Sequence, residues 1–115
     1  MKNVKEVYVF TDEYSVFVHY GSYKQANEFA RLYQIKQGCD EIHELPTHCE
    51  GACLYTPKTM PVIWLEPKRK DKNFMSVLAH EACHAMDDII ETTGIEDESG
   101  EFRAYGVGAI LRAFE

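Results

Sequence analysis

Asn73-Phe74-Met75-Ser76-Val77-Leu78-Ala79-His80-Glu81-Ala82-Cys83-His84-Ala85-Met86-Asp87-Asp88-Ile89-Ile90-Glu91-Thr92 is the stretch from which the rest of the chain is read. At about 100° per residue on a helical wheel, Leu78, Ala82, Ala85 and Ile89 share one side and form an apolar stripe. His80, His84, Asp87, Asp88 and Glu91 fall on the other side. The segment therefore predicts a long amphipathic helix over residues 73–92, with Asn73 as its N-cap and Gly94 as its stop.

Downstream of this segment, a further helix is expected over residues 99–114. Upstream, residues 52–56 and 60–66 read as two short strands around a turn carrying Pro57. Pro67 and the run Lys68-Arg69-Lys70-Asp71-Lys72 then read as a solvated linker. Nearer the N-terminus, valines and aromatics alternate with polar residues over 4–10 and again over 14–20, which predicts a hairpin turning at Thr11-Asp12-Glu13. Ser22 is placed to cap a helix carrying Ala26, Phe29, Ala30 and Tyr33 on one face, and Gly38 to end it. Residues 39–51 have no clean period and read as a loop. The order β-β-α-β-β-α-α groups strands early and helices late, which predicts an α+β fold: a small mixed or antiparallel sheet packed against helices.

The 115 residues suit one domain, 1–115, large enough to bury a core without disulfide staples. Hydrophobic residues make up 45% of the chain, as in globular proteins. The formal net charge of -7 and the lack of a basic face argue against a nucleic-acid partner and favour a peptide or protein partner. No apolar run is long enough to span a bilayer, and Met1-Lys2-Asn3-Val4-Lys5-Glu6 lacks the apolar core of a signal peptide. The expected location is the cytoplasm, where the four cysteines would be thiols or metal ligands.

Residues 80–84 read His-Glu-Ala-Cys-His, which fits the pattern H-E-x-x-H. Residues i and i+4 of a helix lie one above the other, so both imidazoles can reach one metal ion. Zinc takes nitrogen ligands, and a catalytic site leaves one position open to water. Glu81, beside the first histidine, is placed to take a proton from that water. The competing reading is two surface histidines on a solvated helix face.

Two histidines need a third protein ligand, and no histidine follows His84. Glu101 is the first choice because it opens the last helix, with Glu98 and Asp97 as alternatives. The plain reading of Glu101 is a first-turn acid answering the helix dipole. Tyr105, one turn after Glu101, could donate a hydrogen bond to a developing oxyanion, or be a buried tyrosine. Gly108 on that face would let two helices approach. Asp87 and Glu91 could orient a ligand imidazole through its second nitrogen. Cys39, His43, His48, Cys49 and Cys53 could hold a second zinc, but without a C-x-x-C pair the expectation is thiols acting as small hydrophobes.

About half the chain carries a resemblance. Gly51-Ala52-Cys53-Leu54-Tyr55, Pro61-Val62-Ile63-Trp64-Leu65, Leu78-Ala79-His80-Glu81-Ala82-Cys83-His84-Ala85 and Glu101-Phe102-Arg103-Ala104-Tyr105 resemble the small H-E-x-x-H zinc proteins of phages and prophages, related in pattern to gluzincin metallopeptidases. The resemblance implies a zincin-like fold, zinc held by His80, His84 and Glu101, and Glu81 as general base. It implies that residues 62–65 form the sheet edge above the cleft, able to pair with an extended peptide. The Asn-Glu pair of the usual second gluzincin motif is absent. The expected activity is zinc-dependent hydrolysis of a peptide or protein substrate. The alternative is a metal-stabilised binding protein that captures a partner and cleaves little.

Overall fold

A computed structural model describes residues 2–47, 50–66 and 73–115. The expected charged linker over 68–72 lies outside the described residues, as do His48 and Cys49 of the cysteine-rich loop.

Among the described residues seven elements follow one another in the expected order: β1 (Val4–Tyr8), β2 (Ser15–His19), α1 (Tyr23–Lys36), β3 (Gly51–Leu54), β4 (Val62–Leu65), α2 (Phe74–Thr93) and α3 (Glu101–Arg112). The four strands form one mixed sheet in the order β1-β2-β4-β3. β1 and β2 pair antiparallel as a hairpin, β2 and β4 pair parallel across the α1 crossover, and β3 returns antiparallel on β4.

Helices cover both faces of this sheet. Period-two alternation divides the strand side chains between them. Val16, Val18, Ile63 and Leu65 turn to α2 and α3, where they meet Leu78, Ala82, Ala85, Met86, Ile89 and Ile110 in the main core. Val62 and Trp64 turn the other way, to Ala26 and Ala30 of α1. β4 is buried at every position because it is interior and covered twice. The expectation that residues 62–65 form a sheet edge is corrected here: β4 lies between β2 and β3, and β3 is the edge strand on that side.

The helix ends follow local chemistry. Ser22 caps α1 through a reciprocal capping box with Gln25. Gly38 and Gly94 follow α1 and α2 with φ of 75° and 72°, left-handed values that other residues reach only at a cost. Asn73 precedes α2 as expected, but its side chain makes no capping hydrogen bond. At α3 the Asp97 carboxylate accepts from the backbone N–H groups of Phe102 and Arg103 at 2.9 and 3.1 Å. No helix among the described residues is long and apolar enough to cross a membrane.

Candidate metal centre

The apolar stripe of α2 faces the sheet, so the opposite face of the helix stands in solvent with His80 and His84 exposed on it. Their Nε2 atoms lie 3.2 Å apart, with the two rings nearly perpendicular at 73°. Two nitrogens bound tetrahedrally to one zinc at about 2.05 Å would stand about 3.3 Å apart. The helix therefore brings both imidazoles to the separation that one shared ion requires.

Glu81 occupies the adjoining flank and is 7% exposed. The ligand atoms of His80, Glu81 and His84 all lie within 4.8 Å of one another. Burial pushes the Glu81 carboxyl above its ordinary range, an effect opposed by the two neighbouring imidazoles. A cavity of about 340 Å³ opens on this flank, bounded by Glu50, Gly51, Ser76, Val77, His80 and Glu81. Gly51 is the first residue of β3, so the edge strand runs beside the Glu81 side of the histidine pair.

The other expected residues lie elsewhere. Among the described residues the cluster consists of His80, Glu81 and His84, and the structure does not bring Glu101 into it. Glu101 stands exposed at the first position of α3, which is also the place of a dipole-answering acid. The helix turns Arg103 toward α2, where its guanidinium grips Asp87 at 2.7 Å. Residues 101 and 103 are separated by about 200° around a helix, so Glu101 sits on the flank turned away from that contact. Tyr105 shares the outer flank, 57% exposed with its ring 6.0 Å from Phe10, and does not join the histidines. Asp97 is engaged at the α3 N-terminus, as described above.

Asp87, expected as an imidazole orienter, is bound to Arg103 instead. Besides Glu81, Asp88 feels His84 electrostatically from one helical turn later, where burial raises its pKa against the pull of the imidazole. Its Oδ2 also lies 3.9 Å from the Cys53 thiol of β3. The i,i+4 spacing of His84 and Asp88 was the available signal for this neighbour.

The described part of the cysteine-rich loop gathers no second group of three ligands. Cys53 lies in β3 on the α2 side of the sheet, and burial beside Asp88 and Glu81 pushes its thiol strongly upward. Cys39 lies at the α1 end against Thr56, 3.5 Å from its hydroxyl. The backbone of His43 is pinned by the buried Gln34 amide, which donates to its carbonyl and accepts its N–H, both at 2.8 Å. Comparison with protein-family models, with characterised proteins and with solved structures finds no match to this chain.

Proposed function

We propose that this chain is a zinc-dependent peptidase of zincin-like design, with His80 and His84 as metal ligands and Glu81 as general base. The observation that carries the proposal is the 3.2 Å approach of the two Nε2 atoms on an exposed helix face, with a buried carboxylate at their side. A stabilising ion pair or a core contact would not need that arrangement. Zinc is the favoured ion because its ligand preference includes imidazole nitrogen and its d¹⁰ shell accepts the tetrahedral angle.

Bound there, zinc would polarise a peptide carbonyl and bring the pKa of a water toward neutrality. The chain's own residues supply the rest. Glu81 takes the proton of the attacking water and passes it to the leaving amine, as general acid–base groups do. Low exposure keeps its carboxylate from being screened by bulk water. The outer edge of β3, which has no strand beyond it among the described residues, offers backbone groups to an extended peptide beside the cavity that Glu81 lines.

The test is metal content by mass spectrometry together with hydrolysis of a peptide library. About one zinc per chain is expected, lost in His80→Ala and His84→Ala. Glu81→Gln should keep the zinc and lose cleavage by about 10²–10⁴-fold. The third ligand is read from Glu101→Ala. Loss of zinc would support the assignment that the resemblance implies, and retention would move the ligand to Glu50, which lines the cavity with His80, or to Asp88, one helical turn after His84. Zinc bound with no cleavage of any peptide would overturn the catalytic reading in favour of a metal-stabilised binding protein.

A further inference from the structure

On the face of the sheet opposite the histidines, α1 leaves a groove of about 550 Å³ over β2, within the range of small-molecule sites. Its walls are aromatic and aliphatic. Phe17 of β2 stands 5.4 Å from Phe29 and 5.0 Å from Tyr33 of α1, ring centre to ring centre. Leu32, 53% exposed, forms the open lip. Lining residues run along α1 from Gln25 to Lys36, which at about 1.5 Å per residue makes a trough about 16 Å long.

The charge of the groove runs against that of the chain. A molecule of net charge -7 places Lys2 and Lys36 on this trough and no acid in its lining. The two lysines mark its ends. Lys2 adjoins Asn3, whose carbonyl receives the Tyr20 N–H just before α1 begins, and Lys36 is the last residue of α1. Glu6, across the hairpin from Phe17 on the same sheet face, accepts from the Ser15 hydroxyl at 2.8 Å and lies outside the lining, with its charge felt at Tyr33. His19, which also lines the trough, accepts the Gly21 N–H on Nδ1 at 3.0 Å, so its proton sits on Nε2.

From the apolar trough ended by lysines, we propose that this groove binds an elongated anionic amphiphile of the fatty-acid class. The alkyl chain lies over Phe17, Phe29 and Tyr33, and the carboxylate is met by a terminal lysine. Dimension, apolar lining and local positive charge select a linear carboxylate over a compact or cationic ligand. The site is separate from the proposed metal centre, with the sheet between them.

Calorimetric titration with laurate, below its micelle concentration, tests this on the full chain, with dodecyltrimethylammonium as the cationic counterpart. Laurate should bind saturably, one per chain, and the cation about tenfold or more weaker. Leu32→Glu places an acid at an exposed position and should fold normally, keep its metal content and weaken laurate by about tenfold or more. Lys2→Glu combined with Lys36→Glu should do the same, whereas His80→Ala should leave laurate binding unchanged. Equal binding of the two amphiphiles, or laurate affinity unmoved by Leu32→Glu, would overturn the proposal. So would a concentration-dependent dimer in ultracentrifugation that Leu32→Glu dissolves, since the groove would then seat a second copy of the chain.

Discussion

Glu81 packs directly beneath Gly51: a Cβ built on that glycine would lie 3.4 Å from the Glu81 Cγ, 2.8 Å from Val77 Cγ1 and 3.1 Å from the Trp64 carbonyl. The edge strand thus touches the proposed base through the one residue type that adds no side chain. Gly51→Ala should press on Val77 Cγ1 and on the Trp64 carbonyl, which is held in the β3–β4 ladder and cannot yield, while Glu81 Cγ at 3.4 Å stays in ordinary contact. The expected cost is about 1–3 kcal/mol in urea unfolding, the usual range for overpacking. Zinc content should be unchanged, because neither crowded atom belongs to His80 or His84. An unchanged midpoint would show that the strand is looser on the helix than these contacts imply.

The two neighbouring acids Asp87 and Asp88 make opposite predictions. Asp88 adjoins His84 electrostatically, and partners of ligand imidazoles commonly support metal affinity by about 10–100-fold. Asp88→Asn should weaken zinc binding on that scale in competition with a chromogenic chelator. Asp87 is exposed and paired with Arg103, an arrangement worth about 0–1 kcal/mol at a surface. Asp87→Asn should therefore leave zinc affinity unchanged and lower stability only slightly. Equal effects on affinity would mean that summed negative charge, and not the position of Asp88, supports the site.

The elements could be read from the sequence because each carries a local signal. The capping box at Ser22, the left-handed glycines at 38 and 94 and the apolar stripe of α2 all act within a few residues. Likewise, the i,i+4 spacing alone was enough to place His80 and His84 together. Strand order was not legible in this way. Whether β4 or β3 forms the edge depends on the parallel pairing of β2 with β4, a contact between residues more than 40 positions apart. The rotation of α3 was hidden for a similar reason. Glu101 and Arg103 are equally polar in a sequence, and packing of Phe102 and Ile110 into the core decides which flank meets α2.

That rotation also decides which glycine matters. Gly108 was expected at the helix crossing, but the close approach is at Gly106, where a Cβ would fall 2.2 Å from Met86 Sδ and 3.0 Å from its Cγ. At Gly108 the nearest atom is the Arg112 guanidinium at 3.2 Å, the far end of a flexible side chain. Gly108→Ala should stabilise by up to about 1 kcal/mol, through helix propensity alone. Gly106→Ala gains the same propensity but must displace a fully buried methionine, and overpacking of about 1–3 kcal/mol should leave it less stable than the wild type. Thermal melts of the two variants side by side decide this, and the reverse order would place the crossing at Gly108.

His19 gives the fold a pH dependence whose sign is set by its surroundings. The ring is 4% exposed, and burial holds its pKa below the ordinary 6.5. As pH falls through 6.5, the unfolded chain takes up a proton at His19 that the folded chain refuses, so stability falls until the lowered folded pKa is reached. The slope can approach about 1.4 kcal/mol per pH unit within that window. Glu81 and Asp88 work in the opposite sense, since burial raises their pKa values and acidification relieves them. The measurement is therefore a difference: urea midpoints of wild type and His19→Gln at pH 7.0 and 5.5, with the carboxyl contributions common to both. The Gln carbonyl can still accept the Gly21 N–H that Nδ1 receives at 3.0 Å. The wild type should lose more stability than the variant between the two pH values, whereas equal losses would show that His19 is protonated as readily in the fold as out of it.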